Sequence, residues 1–291
     1  IGDWLQVLGV NTLNEHLSYV TMRGARKRDY PPTFSYHSPW FEAYGALVEH
    51  FSRVTWCLTQ GEQVNEVLVL EPTTTAWMHH FANGERLAAV GDTFQALVTA
   101  LAKAQTEFDL GSEAVLADRG AVEAAEDGGA RLRVGNRAYA VVVVPENMET
   151  LDARTAELLK GFLEKGGVVL SCAGPDQPSL VDGAADARCA ELRGMAGWRN
   201  IAPAEAAARL RELRPQSTEV VLAAENTATV YHHRRRLADG EIVFIVNTSN
   251  DVSASGSVMA KGMAGVREAV LDKGGLRAFP FGKAADGVMA P

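Results

Sequence analysis

Apolar and polar positions change period several times along the chain, and each change marks an expected element. Residues 7–16, VLGVNTLNEH, read as a strand ending in Glu15 and His16. A long loop rich in Arg, Tyr, Pro and Trp follows, then an amphipathic helix from about Trp40 to Leu58. EVLVLEP (66–72) is a continuous apolar run closed by proline, the pattern of a strand buried on both faces. Thr93–Ala104 has helical spacing, with Phe94, Leu97, Val98 and Leu101 on one side. EAVLAD (113–118) reads as a further strand, and RLRVGNRAY (131–139) as a small hairpin around Gly135-Asn136.

The most strongly patterned unit is residues 139–174. AVVVVP forms a strand; a helix from about Asp152 turns Ala153, Ala156, Leu159, Phe162 and Leu163 inward; Gly166-Gly167 stops it; VVLSC returns as a strand. Strand, crossover helix and second apolar strand predict a parallel pair. The expected fold class is α/β, a parallel sheet of the kind found in many flavodoxin-like domains. Its strands are expected at 66–71, 113–117, 140–144 and 167–171, with helix 152–164 crossing one face. Residues 183–215 are Ala-rich and helical, broken by Gly194, Gly197 and Pro203. From about Thr218 the period shortens: TVYHHRRRLADGEIVFIVNTSN (229–250) is strand, Asp239-Gly240 turn, strand, and short strands continue in a small antiparallel β module. Three parts are expected, at 1–61, 62–217 and 218–291.

Composition narrows the function more by exclusion than by indication. The chain has 291 residues, 47% hydrophobic and 22% charged, as ordinary globular proteins do. A net charge of -8 argues against nucleic acid as a partner, since phosphate demands a basic surface. No apolar run approaches the roughly 20 residues of a membrane span. Three cysteines (Cys57, Cys172, Cys189) without CxxC spacing exclude a thiolate zinc site and make a disulfide framework a poor reading. The pairs His79-His80 and His232-His233 lack the i, i+4 spacing of a helical metal site. No metal and no cofactor is expected.

Several motifs have plain structural explanations. Cys172 ends a strand, yet its surroundings, Leu170-Ser171-Cys172-Ala173-Gly174, lack a glycine two residues before it and no HxE follows, so it reads as a small buried thiol and not a nucleophile. Gly166-Gly167 follows a helix instead of opening one, which suits a C-cap and not a phosphate cradle. Arg234, Arg235 and Arg236 alternate faces on a strand and read as a solvated sheet surface.

The N-terminal stretch carries the candidate chemistry. A strand whose end presents a carboxylate and an imidazole to a polar, aromatic loop is how barrel enzymes build their active-site face. Nothing before residue 1 completes such a barrel, and the chain opens at Ile1-Gly2-Asp3-Trp4 without an initiator Met, so it reads as part of a longer protein. Glu15 is the one carboxylate at the end of that strand and a weak catalytic candidate. Substrate-binding candidates are Glu15, His16, Arg23, Asp29, Tyr36 and Trp40; Arg26 and Tyr30 lie among them. Aromatic faces and charged hydrogen-bonders in one loop suit a pyranose, which offers an apolar face and a ring of hydroxyls. A loop stiffened by Pro31-Pro32 that packs a barrel against the next domain suits the same residues, and both readings stay open.

GVNTLNEHLSYVTMRGARKRDYPPTFSYHSPWF, FDLGSEAVLAD, YAVVVVPENMETLDARTAELLKGFLEKGGVV and HHRRRLADGEIVFIVNTS are similar, in that order, to the post-barrel part of large bacterial glycoside hydrolases related to the family 106 α-L-rhamnosidases. The middle zone also resembles the trimerisation domain of family 42 β-galactosidases, itself related to class I glutamine amidotransferases. The resemblance implies a polysaccharide-degrading parent whose catalytic carboxylates lie mostly before residue 1. The partners it implies are the parent's carbohydrate substrate, an upstream barrel and further copies of the chain. The expected function is a non-catalytic accessory segment that buttresses the barrel and lines the sugar site. The alternative is a stand-alone amidotransferase-like ligand-binding or interaction module without glutaminase activity.

Overall fold

A computed structural model describes residues 1–16, 18–28, 34–125 and 128–291. Its contacts divide the chain into two compact units, residues 65–216 and residues 1–64 together with 217–291.

The N-terminal part holds two helices. α1 (Gly2–Val7) packs on α2 (Tyr44–Thr59), which a short 3-10 turn at Phe41–Ala43 precedes. Gln6 donates to the Thr55 hydroxyl at 2.8 Å, and Asp3 pairs with His50 at 2.7 Å. The expected helix at 40–58 is therefore present. The expected strand at 7–16 is not: Val7 closes α1, Gly9 turns left-handed at φ +110°, and residues 10–16 run on without a ladder partner among the described residues. A lone extended segment leaves its backbone groups to solvent, and without a neighbouring ladder it is not a strand.

Residues 65–216 form a three-layer α/β unit. β1 (Val67–Leu70) leads through α3 (Thr73–His79) and α4 (Gly84–Lys103) to β2 (Asp109–Gly111), and then to α5 (Glu113–Arg119). A three-stranded antiparallel insert (120–124, 130–134, 137–139) precedes β3 (Val141–Val144). α6 (Ala153–Glu164), β4 (Val168–Ser171), α7 (Ala187–Gly194), β5 (Trp198–Asn200) and α8 (Ala206–Leu213) complete it. All five labelled strands are parallel, in the order β2-β1-β3-β4-β5.

Period-2 alternation divides the apolar strands between two cores. Leu68, Leu70, Val142, Val144 and Val169 face α5, α6 and α7, where Leu116, Leu159 and Phe162 fill the layer. Val67, Val69, Val141, Val143 and Leu170 face α4 and α8, meeting Leu97, Leu101 and Leu210. Strands that bury both faces must be apolar throughout, which is what the runs at 67–70 and 141–144 display.

Two elements differ from expectation. Residues 113–119 are helix α5; the strand is the preceding Asp109–Gly111, paired in parallel with Leu68–Leu70. Ser112 sits at the N-cap, and Glu113 and Leu116, at i and i+3, point inward. Within the Ala-rich zone, Trp198–Asn200 is an edge strand of three residues, too short to show a period.

The C-terminal part is antiparallel β. β6 (Val230–Arg236) and β7 (Glu241–Asn247) form the expected hairpin around a four-residue loop, 237–240, with Glu62–Gln63 added beside β6. A four-stranded sheet (218–222, 256–261, 287–290, 282–284) and a two-stranded ribbon (267–269, 276–278) follow.

Candidate functional site

Two of the predicted site residues, Glu15 and Trp40, are joined by a tyrosine that the sequence reading overlooked, in the unit formed by residues 1–64 and 217–291. Tyr44 opens α2 and donates its hydroxyl to Glu15 Oε1 at 2.7 Å. That hydrogen bond pushes the Tyr44 phenol up to about 12, with burial and the Glu15 charge adding to it. The phenol therefore stays protonated as a donor at neutral pH, and the second Glu15 oxygen is left to accept. Three aromatic rings gather round Tyr44: Trp40 at 5.9 Å, Phe34 at 6.1 Å and Phe41 at 6.5 Å between centroids. Trp40 and Phe41 remain nearly half exposed. The signal was in the chain, since Trp40 and Tyr44 are four residues apart at a helix start and share a side.

Of the predicted set, Glu15 and Trp40 thus meet on Tyr44. Tyr36 stays 71% exposed, with its ring 4.1 Å from His37 and its hydroxyl on the Val20 carbonyl. His16 is exposed in the same extended segment as Glu15, and Arg23 is exposed just before the 3-10 turn Gly24–Arg28. Asp29, with Tyr30, Pro31 and Pro32, lies outside the described residues. The resulting surface combines exposed aromatic faces with a carboxylate whose free oxygen can accept a hydroxyl. Hydrolysis of a glycoside needs a second carboxyl opposed to the first across about 5–10 Å. The hydrogen-bond partner that Glu15 meets here is a phenol.

The carboxyl edge of the parallel sheet is the other place to look, because the strand order reverses between β1 and β3 and such switch points bind ligands. Here the edge is filled by side chains. Arg86 donates to Glu149 at 2.6 Å and to Asn147 Oδ1 at 2.8 Å, while His79 Nε2 lies 3.1 Å from Glu149. Asn147 is left-handed at φ +63° and donates onward to Thr93. Burial raises the Glu149 carboxyl, but the hydrogen bonds from Arg86 and His79 outweigh it and hold the group below its ordinary range. The buried Thr75 hydroxyl accepts the Glu149 and Thr150 amides. These contacts stitch α3 and α4 to the loop after β3.

Cys172 follows β4, is 4% exposed, and its thiol is pushed up to about 12 by burial, with the Glu146 charge adding. That is the opposite direction from an activated nucleophile. Arg234 corrects the expectation of a solvated arginine strand: it is buried and pairs with Glu241 at 2.8 Å, with Ser217 as a further acceptor. The hairpin register sets Arg236 opposite Glu241 and Arg234 diagonally across from it on the same face. Among the described residues, no group of three His, Cys, Asp or Glu side chains is placed to hold a metal ion, and no helix is long and apolar enough to cross a membrane.

No protein-family model and no curated protein sequence matches the chain. Among solved structures, it is similar to a rhamnosidase from Novosphingobium sp. PP1Y, with a TM-score of 0.62 at 15% identity over 90% of this chain. The chain spans 24% of the length of that protein.

Proposed function

We propose that the chain is a non-catalytic accessory segment of a carbohydrate-active glycoside hydrolase related to the family 106 α-L-rhamnosidases. It buttresses a catalytic barrel and contributes one wall of the sugar site through Glu15, Tyr44, Trp40 and their neighbours. The observation that carries this reading is the fold likeness to a rhamnosidase along nine-tenths of the chain. The local geometry agrees: a carboxylate oriented by a phenol beside exposed aromatic rings is built to bind hydroxyls and an apolar ring face. The strand order 2-1-3-4-5 supports assigning the α/β unit to the flavodoxin-like class, within which amidotransferase-like domains fall. On that basis the alternative is a free-standing interaction module, without glutaminase activity because Cys172 is buried and its thiol raised.

The two readings separate on sugar binding. On the first, L-rhamnose and aryl α-L-rhamnosides bind weakly and saturably, on the order of millimolar. Trp40→Ala and Glu15→Gln weaken that binding, and hydrolysis stays at background. No saturable shift in tryptophan fluorescence or NMR spectra would end the sugar-wall reading. Turnover abolished by Glu15→Gln would overturn the non-catalytic assignment.

A further inference from the structure

The start of α6 is held by carboxyls from outside its own helix. Glu113, the first residue of α5, is 3% exposed and accepts the Asp152 amide on Oε1 at 2.8 Å. Asp182, left-handed at φ +49°, accepts the Ala153 amide at 2.9 Å. Asp152 does not cap its own helix; Thr74 donates to its carboxylate at 2.8 Å. Three acidic side chains thus crowd one helix start.

Two buried atoms in this cluster lack a hydrogen-bond partner, Glu113 Oε2 and Thr155 Oγ1. The two side chains nonetheless stand close enough to interact. An ionised Glu113 is stripped of water in the apolar layer that holds Leu116 and Leu158, a desolvation cost that the Asp152 amide and the Thr155 hydroxyl offset only in part. A proton on Oε2 removes that cost, since the neutral carboxyl donates to Thr155 Oγ1 while Oε1 keeps the Asp152 amide.

Among the described residues, the charged groups facing Glu113 offer no compensating cation. From α6 it meets Asp152, and from the 180–183 loop Asp182, both acidic. Arg154, in the first turn of α6, is directed to Glu157 and the Gly120 carbonyl. On the strands packed against α5, Glu123 and Arg133 pair with each other at 2.5 Å. On α7, Arg188 is engaged by Asp186.

We propose that Glu113 is a proton site built into the fold: protonated, it latches α5 to the start of α6, and its ionisation loosens that latch. Burial is the leading cause that lifts the carboxyl from its ordinary 4.5 to about 7, with the Asp152 and Asp182 charges adding and the Asp152 amide and Thr155 hydroxyl opposing. Because the folded value is raised, the stabilisation is fully present below about 4.5 and is lost as pH rises through about 7. The inference does not depend on any carbohydrate reading.

The test is unfolding of the whole chain in urea between about pH 5 and about pH 8, for the wild type and Glu113→Gln. The glutamine amide copies the protonated carboxyl, donating to Thr155 and accepting from Asp152. The wild-type unfolding constant is expected to rise by about one to two orders of magnitude across that range. The variant should lose most of that slope and be the more stable protein at the alkaline end. Equal slopes for the two proteins would overturn the proposal. If the variant does not fold, infrared spectroscopy of the wild type decides. A protonated-carboxyl band that persists at about pH 6 and disappears by about pH 8.5 supports the latch. Its absence at about pH 6 sinks it.

Discussion

The two units solve the burial problem in different ways. Among the described residues, thirty-two of the forty buried apolar side chains belong to residues 65–216 and eight to residues 1–64 and 217–291. Exposed large apolar residues are distributed in the opposite sense, with seventeen of the twenty-one among the described residues in the second unit. The α/β unit draws its cohesion from two apolar layers. The other unit relies on polar ties, such as the Arg234–Glu241 pair and the Arg53 guanidinium on the carbonyls of Leu271 and Asp272. Surface that a unit cannot bury on its own is available for something else to cover.

The largest expected effect is in the apolar layers. Phe162 is fully buried under the sheet, and Phe162→Ala should cost about 3–5 kcal/mol through lost contacts and a cavity. Urea unfolding measures it; a loss under about 1 kcal/mol would mean that the layer is not close-packed. Native-state hydrogen exchange should find the slowest amides in β1, β3 and β4.

In the other unit, the matching experiment removes a charge. Arg234→Met leaves Glu241 buried without its cation, and a loss of about 3 kcal/mol is expected, near the low end for such pairs because the Thr218 hydroxyl still donates to Glu241. The double variant Arg234→Met with Glu241→Leu should recover most of that loss. If the double variant is as unstable as the single one, the pair is not what this sheet depends on.

How legible each region was follows from the same contrast. β1, β3, β4 and α6 were readable because strands buried on both faces and a helix packed on them leave unbroken apolar runs. The 113–119 segment was misread because Ala-Val-Leu suits a strand or a helix, and only Ser112 at the N-cap tips the choice. The 7–16 strand failed because an extended stretch becomes a strand only when a neighbour takes up its hydrogen bonds. In the candidate site, Glu15 and Trp40 could be picked by residue type. Tyr44, which joins them, was legible from the expected helix start at Trp40, four residues earlier on the same side, but its link to Glu15 spans 29 residues and no local pattern shows it. Arg234 was misjudged because a run of three arginines says nothing about which one meets a carboxylate.

Thiol chemistry separates the units more gently. In the folded chain, iodoacetamide near neutral pH should modify half-buried Cys57 before Cys172 and Cys189, which are buried. Burial raises all three thiols, so even Cys57 should react slowly. Peptide mapping of labelled sites against time gives the order. Stoichiometric labelling of Cys172 within minutes would reopen its role as a nucleophile.

The smallest expected effect is the most telling about what the second unit lacks. Leu47, Val48 and Trp56 lie on α2 with 45–65% of their surface exposed, while Val54 and Leu58 on the same helix are buried. Val48 and Trp56 lie about 100° and about 180° round α2 from the side that carries Val54 and Leu58, so one half of the helix surface is covered and the other, with Val48 and Trp56, stays exposed. If the uncovered half plays no part in the stability of the chain itself, Val48→Lys and Trp56→Lys should change it by no more than about 0.5 kcal/mol. Both should raise solubility, since an apolar surface that size favours association. Val54→Lys on the covered half is the control, expected to be severely destabilising because it buries an unpaired charge. A large loss from Val48→Lys would mean that this face is already satisfied within the chain, and the contrast between a self-contained unit and an incomplete one would fall.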